Sequence, residues 1–181
     1  MASAGPPKAA GDRAQPALRA LVVDDVVEIC NLYRALFQRI RGMDVSLTVE
    51  TDPKEAIRHL REEHYDLVIS DFRMKEADGV EVLSVAHHEN PAGRRVLMTG
   101  YNEIPTSIGR IRNAHIDAYV QKPLKTQDLL IMVSDILAGD EARIAAHRMQ
   151  AQEIEQIALR EEQISATVSP PKPPEKKSAA R

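Results

Sequence analysis

The chain has 181 residues, 43% hydrophobic, 28% charged and 3% aromatic, with no tryptophan, a single cysteine (Cys30) and a net charge of −3. At roughly 100–200 residues per domain that is enough for one domain with a real core. The charge excludes a broad basic face for nucleic acid, and one cysteine excludes a disulfide framework or a CxxC metal site and favours a reducing compartment. The first thirty residues hold no apolar signal-peptide core. The longest strongly apolar run, Leu129 to Val133, falls far short of the ~20 residues of a membrane span. A cytoplasmic protein with neither a nucleic-acid nor a membrane partner is expected.

Residues 1–17, rich in Ala, Gly and Pro, read as a disordered arm. LRALVVDD from Leu18 is a short Val-rich run that suits a strand buried on both faces. Ile29, Leu32, Leu36 and Ile40 then mark an amphipathic helix closed by Gly42. VSLTVE (45–50) alternates as a strand, and Asp52 and Pro53 suit the cap and first turn of a helix running to about His64. YDLVISD (65–71) is a third strand, followed by a polar loop to Gly79 and a short helix near 80–88. RRVLMTG (94–100) is a fourth strand, with a helix expected after Pro105. AYVQ (118–121) is a fifth, with Thr126 placed to cap a final helix through Leu129, Met132, Val133 and Ile136 that ends at Gly139.

Five β-then-α units in about 120 residues require crossover connections. The expected fold class is therefore α/β: a doubly wound, five-stranded parallel sheet with helices on both faces. The expected domain spans 18–139. Residues 140–168 read as a helical extension that continues from the last helix, with Ile144, Ile154, Ile157 and Ile164 on an otherwise polar surface, and 169–181 as a disordered Pro/Lys tail. Self-association into a homodimer, or docking to a partner, is the role expected of the extension. No second apolar pattern follows Gly139, which argues against a winged-helix or helix-turn-helix output.

Such a sheet does its chemistry outside the carboxyl ends of its strands. There the sequence places Asp24 and Asp25 on the first strand, Asp71 on the third, Thr99 on the fourth and Lys122 on the fifth. Three carboxylates so close repel one another unless a cation sits among them, and an all-oxygen set suits Mg²⁺ or Mn²⁺. Lys122 supplies a fixed positive charge, and Thr99 a hydroxyl able to donate to a phosphoryl oxygen. Asp71 is the candidate nucleophile, since carboxylates form aspartyl-phosphates.

DD at 24–25, DLVISDFRMKEADG at 66–79, VLMTGY at 96–101 and YVQKPL at 119–124 occur in the order and spacing of a known family. Over residues 18–139 the chain resembles the receiver domain of a two-component response regulator, a flavodoxin-like fold. The resemblance implies that Asp71 accepts a phosphoryl group from a cognate histidine kinase or phosphotransfer protein. It further implies that Asp24, Asp25, Asp71 and the backbone carbonyl of Arg73 hold the metal. Thr99 and Tyr119 would form the switch pair, Lys122 would contact phosphate, and the bond before Pro123 would be cis. Phosphate would draw Thr99 inwards, let Tyr119 rotate, and change binding to a downstream protein target that the sequence does not name. On this reading the chain is a phosphoacceptor signalling module with only self-phosphorylation and dephosphorylation chemistry, not an enzyme.

The resemblance is incomplete at Lys75, where the family usually has proline, and at Ala77, often an apolar residue. Arg73 and Tyr101 are bulky at positions expected to restrict water and slow hydrolysis. Two alternatives stand beside this reading: a degenerate receiver acting as a phosphorylation-independent adaptor, and a receiver fragment of a larger regulator. An aspartyl phosphatase of the haloacid-dehalogenase kind would need a DxD after the first strand, and a dinucleotide-binding fold a GxGxxG there; neither is present.

The six histidines (59, 64, 87, 88, 115 and 147) show no metal-ligand spacing. His87 and His88 fall at a helix end, where cations complement the dipole, and His147 reads as part of a solvated helix face. Cys30 reads as a small core residue.

Overall fold

The computed structural model describes residues 17–100, 113–123 and 125–146. Five strands, β1 (Leu18–Val23), β2 (Val45–Glu50), β3 (Leu67–Asp71), β4 (Arg94–Thr99) and β5 (Ala118–Gln121), form one sheet in the order β2-β1-β3-β4-β5. All neighbouring strands pair in parallel. The helices among the described residues are α1 (Val27–Phe37), α2 (Pro53–Glu62), α3 (Gly79–Glu89) and α4 (Thr126–Leu137).

The two-residue period of the strands divides the core into two layers. Ala20 and Val22 of β1, Leu67 and Ile69 of β3, Val96 and Met98 of β4 and Val120 of β5 pack with α1 and α4. Leu21 and Val23, Val68, Leu97 and Tyr119 pack on the other face with Ala56 and Leu60 of α2 and Val82 and Leu83 of α3. Burial on both faces is why the three central strands read as unbroken apolar runs in the sequence. The strand order reverses between β1 and β3, and a crevice opens there beyond their carboxyl ends.

Local chemistry sets the helix boundaries. The Asp52 carboxylate accepts the Lys54 N–H at 2.8 Å, with Pro53 in the first turn of α2. Asp78, which the sequence reading did not single out, accepts the Glu81 N–H at 2.9 Å and starts α3. Thr126 is the first residue of α4 and not its cap; Lys125 holds the cap position without a side-chain bond. Gly139 adopts a φ of +68° directly after the Ala138 cap of α4, as the end of a helix requires, whereas Gly42, with a φ of +79°, lies well beyond the end of α1 at Phe37 and does not close that helix as expected.

The expected stripe of the first helix is corrected. Cys30, Tyr33, Leu36 and Phe37 are the buried face of α1, while Leu32 lies to one side of it and is 40% exposed. Ile40 lies beyond the end of α1 yet still enters the core. Histidine 87 is corrected as well. Its ring stacks on His115 at 4.1 Å, and burial first, then the charges of Arg95 and His115, push its pKa down. The lowered pKa makes it a weaker cation for the helix dipole at the end of α3 than its sequence position suggests.

The extension does not continue α4 without a break. The chain turns at Gly139, the Asp140 carboxylate accepts the Arg143 N–H at 3.2 Å, and residues 141–146 form a separate helical turn. Ile144 of that turn is fully buried in the α1/α4 layer. Arg94 pairs with Glu141, and Arg143 with Asp135 at 2.6 Å, tying the turn to the start of β4 and to α4. Ile144→Ala should therefore destabilise the fold by about 2–4 kcal/mol, read by urea denaturation; a change below about 0.5 kcal/mol, typical of surface sites, would contradict its place in the core.

The expected helix after Pro105, the arm at 1–16, the extension beyond 146 and the tail lie outside the described residues. Among the described residues no helix is long and apolar enough to cross a membrane.

Candidate functional site

The parallel register brings the strand-end residues together. Val23 pairs with Ser70, so Asp24 and Asp25 leave β1 beside Asp71 at the end of β3. One carboxylate oxygen from each of Asp24, Asp25 and Asp71 lies within 4.8 Å of the others. Asp24 is buried at 1% exposure, which only well-placed partners make tolerable. It has them: one oxygen accepts the Val26 N–H at 3.0 Å, and the other accepts Lys122 Nζ at 2.8 Å.

The same ammonium lies 2.7 Å from Asp71 Oδ1. Burial on its own lowers the Lys122 pKa, but the hydrogen bonds to Asp24 and Asp71 outweigh it and raise the pKa above the ordinary lysine value. Its charge is fixed at neutral pH. The Lys122 N–H donates to the Thr99 carbonyl at 2.7 Å, which fixes the lysine against the end of β4, and the Lys122–Pro123 bond is cis.

Thr99 and Tyr119 are both 7% exposed. Tyr119 pairs with Leu97 in register and packs on the α2/α3 side, the face to which the alternation of β4 also assigns Thr99. Arg73 is exposed in the β3–α3 loop, where it forms an isolated bridge with Asp78. Tyr101 lies outside the described residues. The sequence-predicted residues Asp24, Asp25, Asp71, Thr99 and Lys122 thus meet at one end of the sheet.

Sequence reasoning missed three features here. The Lys75 backbone N–H donates to Asp25 Oδ2 at 3.3 Å. Gly79 sits so close to the end of β3 that a Cβ there would lie 2.1 Å from the Asp71 carbonyl oxygen. The Tyr33 hydroxyl is buried without a hydrogen-bond partner among the described residues, and burial, then Asp24 and Asp71, push its pKa up. Only the Asp-Gly pair at 78–79 carried a sequence signal.

Two openings flank the cluster. A polar cleft of about 280 Å³ is lined by Asp25, Thr51, Asp52, Lys75 and Glu76. An apolar groove of about 360 Å³ lies between α1 and α4, lined by Ile29, Leu32, Tyr33, Pro123 and Leu129. Three carboxylates against one ammonium leave excess negative charge among hard oxygen donors, an arrangement resembling a metal-binding pocket.

Comparison with known proteins agrees with this geometry. The transcriptional regulatory protein ZraR of Klebsiella oxytoca is 33% identical over 118 residues, covering 65% of this chain and 26% of that protein. ZraR of Escherichia coli K12 is 32% identical over the same length and shares. The chain thus spans about a quarter of the length of these curated relatives. Among solved structures, the CheY-like response regulator receiver domain protein of Methanospirillum hungatei JF-1 superposes with a TM-score of 0.59 at 27% identity, covering 70% of this chain and 98% of that one. The signal receiver domain of an HD domain-containing protein from Pseudomonas fluorescens Pf-5 gives 0.60 at 26%, with the same coverage. The profile of the response regulator receiver domain matches residues 20–134. With its five-stranded parallel sheet and its acidic cluster at the strand ends, the chain belongs to the response regulator receiver domain family.

Proposed function

We propose that Asp71 is the phosphoacceptor of a receiver spanning residues 18–139 and that its phosphorylation switches binding to a downstream protein target. Family membership implies a kinase or phosphotransfer partner in general. We assign that role to a histidine kinase or a phosphotransfer protein.

The observation that carries the reading is the single ammonium of Lys122, bridging Asp24 at 2.8 Å and Asp71 at 2.7 Å next to a third carboxylate. An Asp71 oxygen attacks the donor phosphorus, the donor N–P bond breaks, and the leaving imidazole keeps the electron pair and regains a proton. The product is an acyl phosphate. Lys122 stays within reach of the new phosphoryl oxygens, and the Thr99 hydroxyl donates to another. Thr99 and Tyr119 share one sheet face, which supports their pairing as the switch: a phosphate that draws Thr99 inwards alters the packing open to Tyr119.

The hard, all-oxygen donor set fits Mg²⁺ or Mn²⁺, held by Asp24, Asp25, Asp71 and the Arg73 carbonyl. When bound, the ion supplies charge neutralisation for the phosphoryl oxygens. Incubation with a small phosphodonor and Mg²⁺ should add the mass of one phosphoryl group. Chelation or Asp25→Ala should suppress the addition by at least tenfold. Labelling indifferent to both would contradict the metal assignment.

A further inference from the structure

The β3–α3 loop is built as a miniature antiparallel closure over the cleft beside Asp25. Phe72 N–H donates to the Met98 carbonyl at 2.7 Å and Gly79 N–H to the Phe72 carbonyl at 2.9 Å, closing the base of the loop. Arg73 and Asp78 bridge one step further out. At the tip, the Ala77 N–H donates to the Lys75 carbonyl at 2.9 Å across Glu76, whose φ is +71°. A three-residue turn with positive φ is rare and strained, more so on a residue other than glycine.

Such a conformation persists only where its surroundings over-determine it. Here the Glu76 carboxylate pairs with Lys54 Nζ at 2.5 Å, and the Lys54 N–H is itself held by the Asp52 carboxylate at 2.8 Å. The loop tip is tied to the first turn of α2. One consequence of this bracing lies inside the site: the Lys75 N–H is aimed at Asp25 Oδ2, 3.3 Å away.

We infer that the Lys75 backbone N–H is a positioning group for Asp25, fixing one carboxylate oxygen so that the other is presented to the metal. This rests on the reading of the acidic cluster as a Mg²⁺ site. Asp25 is half-buried and flanks an open cleft, so without such a bond its carboxylate would sample orientations facing solvent. Outer-shell hydrogen bonds of this kind typically change metal affinity by about 10–100-fold. An exposed bond of 3.3 Å belongs at or below the lower end of that range.

The test is Mg²⁺ affinity of the full chain by titration calorimetry, without any phosphodonor. Lys75→Pro deletes the N–H, and Lys75→Ala keeps it while also removing the ammonium. The quantity read is the ratio of their affinities. The backbone at Lys75 has no positive φ, the region that proline cannot enter. Replacement of Lys75 by its α-hydroxy acid analogue, which swaps N–H for oxygen and keeps the side chain, is the second variant should proline disturb folding. Lys75→Pro should bind about 3–10-fold more weakly than Lys75→Ala, and the ester variant should weaken similarly against wild type. If the proline and ester variants match their references while Asp25→Asn loses affinity, the positioning role is wrong and the metal site stands. If Asp25→Asn binds as wild type does, the metal reading fails and takes this inference with it.

Discussion

Gly79→Ala should cost about 2–3 kcal/mol of stability and lower phosphoryl incorporation at least tenfold, although Gly79 has no side chain to offer the site. A Cβ there would stand 2.1 Å from the Asp71 carbonyl oxygen and 2.9 Å from Ser70 Oγ. The oxygen belongs to the end of β3, a fully buried strand, so it cannot yield as the tip of a flexible side chain would. Inserting atoms into such a contact typically costs about 1–3 kcal/mol. The better helix propensity of alanine offsets less than about 1 kcal/mol, because position 79 is the first residue of α3. Relief of the clash pushes α3 away from the strand end or turns the Asp71 peptide, and either displaces the carboxylate from Lys122. Urea denaturation and the initial rate of labelling read the two effects. Wild-type values for both would show that the close approach of α3 to β3 is not what seats Asp71.

Lys122→Met should destabilise the protein by about 1–2 kcal/mol at neutral pH without divalent cations, and Mg²⁺ should restore more stability to this variant than to wild type. Removing one partner of a buried ion pair costs about 3–5 kcal/mol. The smaller figure reflects the lysine's 27% exposure and the open cleft beside Asp25, where solvent screens the remaining charges. The sign follows from the raised pKa of Lys122. A lysine with a raised folded-state pKa contributes its full share below the unfolded value of about 10.4 and loses it only as pH rises through the folded value. A comparison at neutral pH therefore reads the whole effect. Equal stability of variant and wild type, with and without Mg²⁺, would mean that the three carboxylates do not depend on the ammonium.

Most of the architecture was legible because burial on both faces writes strands as apolar runs, and the chemistry because it sits where those runs end. Asp24, Asp25, Asp71, Thr99 and Lys122 could be brought together from topology alone. What escaped the sequence was written in the backbone or in tertiary contacts. The Lys75 N–H belongs to the peptide and leaves no residue signature. On α1 the buried face runs through Cys30, Tyr33, Leu36 and Phe37, which leaves Leu32 exposed although it is as apolar as its neighbours. Ile144 reads as an isolated apolar residue on a polar extension until the turn at Gly139 folds it beneath the sheet. His87 looks like a helix-end cation until the His115 ring and the Arg95 charge are placed beside it.

Asp71, and not its acidic neighbours, is the residue proposed to carry the phosphoryl group. The most direct measurement is to phosphorylate the full chain with acetyl phosphate and Mg²⁺, reduce it with borohydride, and locate the product by tandem mass spectrometry. Borohydride converts an aspartyl phosphate to homoserine and leaves free carboxylates untouched. Homoserine at position 71 alone is the predicted result. Homoserine at position 24 or 25, or phosphate retained on a histidine with position 71 unmodified, would contradict it.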